Sequence, residues 1–428
     1  MLIFIFLNFI VSISAFFVFH VSKKIFRSYF NPVSIFNLIW ITLLLNSIPF
    51  FTLSKSNYLL IFLGVILFNI FSIITFNMRY KKHNLSYPLI LTYVKRHPNT
   101  IKKIIIFCLF LRIVQLSSNL IYVYQLGGDI SNIFNDSQRL RFQYLSRELT
   151  LSDQLLNNFL NYFSEIGLLI CVIYSSLLSR YKLLIFSVIG SLLFSIFTFS
   201  KFSFFIDLII VIGTYSIINF YKNEVKKKNY SFISNIFKFS LVISLVLILI
   251  TTISTQRGYE NQQTNSQITD NVALFKTVTY FIGPFLSFEK LTNIDFEHSY
   301  GKMTFTPIFE LLSKNHFSNP VGIIDISFFQ TNVYTLLGSL YIDFGYLGIL
   351  IGLTLISILV TIIYSDLINN RLSLSKISLY CILLSVLTLS FFDFIARQTF
   401  FWVFPIFVLF FEKVLYFYFR KEEKKLKV

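Results

Sequence analysis

Runs of about 20 consecutive apolar residues recur along this chain, and no other feature limits its fold so tightly. A helix of that length satisfies its own backbone hydrogen bonds and matches the hydrocarbon thickness of a bilayer. Eleven such runs fall at about 2–21, 33–53, 58–78, 104–125, 155–178, 183–200, 202–221, 232–253, 345–364, 377–395 and 399–419. The expected fold is all-α: a polytopic integral membrane protein of about 11 transmembrane helices, forming a single membrane domain over residues 1–428. Composition agrees, because 55% apolar and only 13% charged residues exclude a soluble globular chain. Leu2 to Val21 lacks a basic start and a small-residue cleavage site, so it reads as a retained helix rather than a signal peptide.

The net charge of +17 would point to nucleic acid in a soluble protein. Here it reads as cytoplasmic-side lysine and arginine, with no nucleic-acid partner. Of the 37 basic residues, 23 fall in one alternating set of segments, 11 in the other and three within spans. The positive-inside rule then puts the amino terminus outside and the carboxyl terminus in the cytoplasm. The most basic loop, Arg79 to Lys103, is cytoplasmic in this topology. Two long segments face outside: a medium one, 127–154, and a large one of 77 residues, 254–330. Within the larger, Leu274 to Leu291 is apolar but broken by Gly283-Pro284, and a re-entrant or interfacial helical pair is expected there. Cys108, Cys171 and Cys381 lie in apolar runs, so neither a disulfide nor a metal site is predicted. There is no internal repeat, Gly-rich phosphate loop, CxxC or HExxH motif.

The large outside segment runs into Thr331–Gly352, TNVYTLLGSLYIDFGYLGILIG. Its polar start leads through aromatic and small residues to Asp343-Phe344-Gly345, then directly into an apolar run. Gly345 and Gly348 lack a Cβ and admit another backbone or a ligand at close range. Spacing alone leaves a helix start with a packing face as the plain alternative.

This tract resembles the segment after the large periplasmic loop of O-antigen polymerases, the Wzy-type oligosaccharide repeat-unit polymerases. The shared pattern is Asn-x-Tyr-Thr, a short helix, then Asp-x-Gly-x-x-Gly, carried here by Asn332, Tyr334, Thr335, Asp343, Gly345 and Gly348. Elsewhere the likeness is one of layout and of a few basic positions. Those positions are Arg139 or Arg141 after the Gly-Gly start of the first outside segment, Lys201 in FSKFS, and Arg257 in TQRGY. Lysine at 201 departs from the arginine the family often carries, and replaces a fork by a point charge. The resemblance implies a glycosyltransferase of the bacterial cytoplasmic (inner) membrane that joins undecaprenyl-diphosphate-linked repeat units into O-antigen or capsular polysaccharide. It implies the lipid-linked oligosaccharide and membrane lipid as partners, with a flippase and a chain-length regulator in the same pathway. It implies no cofactor and no metal, fixed cations taking the metal's part.

Arginines on the side that the charge bias disfavours call for a use. Arg139, Arg141 and Arg147 lie in the first long segment, Arg257 just past a span, and Arg397 in the turn between the last two spans. A guanidinium offers a rigid donor fork suited to phosphate and keeps its charge. Charge that grows on a leaving diphosphate is stabilised by such groups. Each arginine taken singly also fits contact with anionic headgroups or a surface ion pair. Arg257 and Arg141 are placed in the catalytic set, with Arg139, Arg147, Lys201, Arg397, Asn332 and Tyr334 binding substrate.

A sugar hydroxyl attacking an anomeric carbon gains from a base within hydrogen-bond reach. Outside candidates are Asp343, Glu310, Asp325, Glu148, Asp295, Glu297, His298 and His316. Asp343 is preferred because it sits at a helix mouth, whereas His298 and His316 read as surface residues. O-antigen ligases carry a histidine directly before the asparagine of the corresponding tract; Thr331 stands there in this chain, which favours a polymerase. Within the spans, Arg112 and Glu165 are expected to pair across adjacent helices, and Asp207 and Asp393 to lie nearer the outer face, where they could line the site. A transporter or flippase of lipid-linked oligosaccharide is the rival of another class. Transporters usually show related halves and short loops, and this chain has neither. A scaffold subunit of an export complex would not need so many outward arginines.

Overall fold

The computed structural model describes residues 17–18, 20–28, 30–47, 54–80, 89–125, 151–198, 201–226, 283–313, 317–322, 324–326, 329–331, 334–369 and 372–425. The helices in chain order are α1 (Pro32–Ser47), α2 (Lys55–Arg79), α3 (Leu89–Arg96), α4 (Pro98–Gln125), α5 (Leu151–Leu178), α6 (Lys182–Phe197), α7 (Lys201–Lys226), α8 (Gly283–Leu291), α9 (Thr306–Ser313), α10 (Leu336–Ile368), α11 (Leu374–Thr388) and α12 (Thr399–Lys425). One short antiparallel pair, β1 (Ile324–Ile326) with β2 (Phe329–Thr331), precedes α10, with Asp325 opposite Gln330.

Nine of the eleven expected spans coincide with helices; the run at 232–253 and most of that at 2–21 lie outside the described residues. Among the described residues six helices, α2, α4, α5, α7, α10 and α12, are long and apolar enough to cross a membrane. Helices α1, α6 and α11 are apolar but shorter.

The side-chain pattern of α4 is that of a helix in lipid. Its buried stripe runs at helical spacing through Ile101, Ile105, Cys108, Arg112, Gln115, Asn119 and Val123, and its middle is polar. Its exposed face carries Phe107, Phe110 and Ile113. Water would select the reverse arrangement, whereas in hydrocarbon the polar groups must turn inward to find partners.

By internal contacts the chain divides into two compact units. The first comprises Met1–His83, Thr264–Arg371 and Leu379–Ile406, and the second Asn84–Gln263, Leu372–Ser378 and Phe407–Val428. In the first, α2 packs along α10, and the buried rings of Phe36 and Phe68 stack at 4.0 Å between α1 and α2. Asn37 and Asn69 add a reciprocal amide pair, at 2.7 and 3.0 Å, so neither leaves a donor bare in an apolar setting. The Tyr364 hydroxyl donates to the Phe26 carbonyl at 2.8 Å.

Helix α8 is the described second half of the apolar stretch Leu274–Leu291, whose residues 274–282 lie outside the described residues. It starts at Gly283-Pro284, where proline loses no helix hydrogen bond. It does not lie on a surface, because Gly283, Pro284, Phe285, Ser287, Phe288 and Leu291 are all buried. Its Glu289 carboxylate reaches the start of α2, accepting from Ser54 N at 3.0 Å and Asn57 Nδ2 at 2.5 Å. An anion there satisfies a free N–H and faces the positive end of the helix dipole.

In the second unit α4, α5, α6 and α7 pack together. Glu412 of α12 plays the part that Glu289 plays in the first, accepting from Leu374 N at 2.9 Å and Ser375 N at 3.0 Å at the start of α11.

Candidate functional site

The tract at Thr331–Gly352 folds as a broken helix. Helical geometry fails at Phe344 (φ −143°, ψ 18°) and Gly345 (φ 64°, ψ −151°), the latter in a region open essentially to glycine alone. The short half, Leu336 to Asp343, doubles back against the long half. A Cβ at Gly348 would overlap the Leu340 carbonyl oxygen, and one at Gly352 would lie 2.8 Å from the Leu340 side chain. In an unbroken helix Leu340 and Gly348 would be about 12 Å apart at 1.5 Å per residue. The close approach foreseen at Gly348 is therefore made by the chain's own preceding half-helix, seated on a Gly-x-x-x-Gly face.

The break exposes the last carbonyls of the half-helix, which need new donors. Residues 298–304 supply them. Ser299 N donates to Ile342 O at 3.0 Å and Tyr300 N to Asp343 O at 3.1 Å. The same loop closes around the Asp343 side chain. Oδ1 accepts from Ser299 Oγ at 2.5 Å, Gly301 N at 3.0 Å and Met303 N at 2.9 Å, and Oδ2 accepts from Thr304 N at 2.7 Å. Asp343 is 0% exposed. Tyr300 (φ 50°) and Gly301 (φ 90°) are both left-handed, a conformation that this set of bonds over-determines.

Asp343, the base expected at this helix mouth, is enclosed by the loop. Three donors meet Oδ1 and one meets Oδ2, with no solvent access to the carboxylate. The residue pins the loop.

Tyr334 is enclosed as well. It is 0% exposed, its hydroxyl donates to Gly322 O at 2.5 Å and accepts from Asn319 Nδ2 at 3.2 Å. Burial pushes this phenol up, while the Asn319 donor and the Arg397 charge act the other way. Tyr334 thus latches segment 317–322 to the start of α10 rather than offering a hydroxyl to ligand.

The Arg397 charge acts on Tyr334 through space. Arg397 ends a 3-10 turn, Ile395–Arg397, between α11 and α12 as expected, and Nη1 donates to Asp393 Oδ1 at 3.1 Å. With its side chain 30% exposed it keeps part of its fork open to solvent. Enclosure pushes the Asp393 carboxyl up; the Arg397 charge and the Phe394 N–H oppose that shift. The turn is joined to the pinned loop through Trp402, which donates to Ala396 O at 2.8 Å and packs on Phe305 at 5.6 Å.

His298 is the residue that sequence reasoning set aside. Its Nδ1 faces Ile342 O at 3.3 Å, and a carbonyl there requires the Nδ1–H tautomer. Nε2 then carries the lone pair. It lies 3.2 Å from where a Gly345 Cβ would be, so a side chain at 345 would crowd it. Phe296 and Tyr341 pack edge-on to the half-buried imidazole at 5.5 and 6.0 Å, and Tyr346 continues the aromatic wall against Tyr341 at 5.1 Å. A cue was present in the sequence: His298 stands three residues before Gly301, in the tract that precedes the Asp-x-Gly pattern.

Of the other expected residues, Arg139, Arg141, Arg147, Arg257 and Asn332 lie outside the described residues, and Lys201 is the first residue of α7. Glu310 caps a backbone N–H, that of Phe317, at 3.0 Å. Asp207 is 2% exposed and bonded to Arg112 in the second unit. The Arg112–Glu165 pair forms as expected, at 3.2 Å. Comparison with protein-family models, curated proteins and solved structures finds no match for this chain.

Proposed function

We propose that this chain is a membrane glycosyltransferase that polymerises undecaprenyl-diphosphate-linked oligosaccharide repeat units into a surface polysaccharide. The observation that carries the reading is the broken helix: the tract with the polymerase-like Asn-x-Tyr-Thr and Asp-x-Gly pattern has its break pinned by residues 298–304, which sets the His298 imidazole beside Ile342 O at the helix mouth. In the reaction, a hydroxyl at the nonreducing end of one lipid-linked unit attacks the anomeric carbon of the glycan carried on another. The new C–O bond forms as the bond to the lipid diphosphate breaks, and the hydroxyl proton passes to His298 Nε2. A base so placed contributes about a hundredfold to ten-thousandfold. The departing diphosphate takes the electron pair, and arginine forks stabilise it. Arg397 is the described candidate for that part; Arg141 and Arg257 are the others, with Arg139, Arg147, Lys201 and Asn332 along the glycan. By the charge rule this mouth faces outward from a bacterial inner membrane.

The test is reconstitution of purified protein in vesicles with lipid-linked repeat units alone, without ATP, ion gradient or added metal. A ladder of longer lipid-linked glycans supports the proposal. Movement of the intact lipid-linked unit across the bilayer with no ladder makes the chain a flippase. Transfer of glycan only when a separate lipid acceptor is supplied makes it a ligase.

A further inference from the structure

Among the described residues, the second unit contains a charge that its neighbours do not balance. Arg112 sits midway along the 28-residue α4 and Glu165 midway along the 28-residue α5. Each is about 20 Å from either helix end at 1.5 Å per residue. Arg112 Nη1 donates to Gln115 Oε1 and Asn161 Oδ1, both at 3.2 Å. Its Nη2 donates to Glu165 Oε1 at 3.2 Å and Asp207 Oδ2 at 3.1 Å, so two carboxyl groups share one nitrogen. Phe194 of α6 closes the site, its ring centroid 4.4 Å from the guanidinium carbon. The side chains of Arg112, Glu165 and Asp207 are 5%, 4% and 2% exposed.

One cation and two ionised carboxylates would leave a net negative charge at this depth. Desolvating an uncompensated ion costs several kcal/mol even after relaxation. A second observation points to the same gap. Glu165 Oε2 and Asp207 Oδ1 are buried with no hydrogen-bond partner among the described residues. A single proton answers both: it neutralises the excess charge and turns one orphaned oxygen into a donor for the other. Two carboxyl groups held this close cannot both ionise cheaply, as in the paired acids of aspartic proteases. A hard metal ion is a poorer occupant, because magnesium and calcium take about six or more oxygen ligands and two are free here.

We infer that Glu165 and Asp207 hold one proton between them, making the Arg112 cluster a proton-binding site halfway through the helix bundle. The inference is independent of the polymerase reading. Groups facing the site are Arg112 and Gln115 from α4, Asn161 and Glu165 from α5, Asp207 from α7, and the uncharged Phe194 from α6. Cys108 lies one turn away on α4 and Tyr162 one turn away on α5, both buried, while Lys95 and Arg96 of α3, which packs on α5, are exposed. Arg112 is thus the one cation bonded to the two carboxyl groups among the described residues. Because the folded protein binds a proton that the unfolded chain releases at neutral pH, stability falls as pH rises through the site's titration.

The experiment uses the full-length purified protein, Glu165→Gln and Asp207→Asn, each in lipid nanodiscs. Infrared titration reads the carbonyl stretch of a protonated carboxyl at neutral pH, and thermal unfolding is followed against pH. Wild type should show the band. Both variants should lose it, since the carboxylate that remains pairs with Arg112 as an ion. Both should also lack the alkaline fall in melting temperature seen in wild type. Either variant alone suffices if the other does not fold. Spectra unchanged by both substitutions overturn the inference, as does stabilisation of wild type by sodium at fixed pH with no effect of pH itself.

Discussion

Replacing Asp343 by asparagine separates a loop anchor from a catalytic base. Asparagine has nearly the same shape but one acceptor oxygen and one NH2 group. If its oxygen keeps Ser299, Gly301 and Met303, its NH2 meets Thr304 N–H, which now lies 2.7 Å from Oδ2, donor against donor. A buried N–H left unpaired costs about 1–3 kcal/mol, and three bonds that lose their charge assistance weaken by about 1 kcal/mol each. The loss totals on the order of 5 kcal/mol, equivalent to more than about a thousandfold in an opening equilibrium. Hydrogen exchange on purified protein reads this directly. The amides of Gly301, Met303 and Thr304 should exchange at least a thousandfold faster in the variant, provided closing outpaces exchange, with α2 and the long half of α10 unchanged. Exchange at wild-type rates in this loop, with glycan transfer abolished, would refute the anchor and restore Asp343 as the base.

Other outcomes follow from the same geometry and from the charge pattern. Gly348→Val should separate the two halves of α10, because its side chain enters the space of the Leu340 carbonyl; thermal unfolding should show a loss of about 1–3 kcal/mol or more. Arg257→Ala and Arg141→Ala should each stop polymer while protein still accumulates in the membrane, and Arg257→Lys should recover little because the donor fork is gone; full-length polymer from both alanine variants would contradict a diphosphate clamp. A single cysteine at Asn265, in a chain without the native three, should react with an impermeant reagent in intact cells; labelling only after permeabilisation would invert the topology.

Much of the scaffold was legible because hydrophobic length is a local property. Nine of the helices fall where apolar runs predicted them, and the Arg112–Glu165 pair could be read from depth along two neighbouring helices. What escaped were roles set by distant donors. Asp343 takes its function from amides about 40 residues upstream, and Glu289 caps a helix start 235 residues before it. Nothing in periodicity distinguishes such a carboxylate from a base or from a solvated charge. The bond of Asp207 to Arg112 escaped for a related reason: position along a helix says little about which face a residue occupies, and its partner sits 95 residues earlier. His298 stayed in the background because its placement depends on the Nδ1 contact to Ile342 O, which only the fold creates.

The most direct measurement of the central claim is the rate of ladder formation by His298→Gln in the reconstituted system, with loop exchange measured on the same preparation. Glutamine retains a donor for Ile342 O but no basic nitrogen, so residues 299–304 should stay protected while the rate falls about a hundredfold to ten-thousandfold. A protected loop together with a wild-type rate would remove His298 from the chemistry and contradict the account.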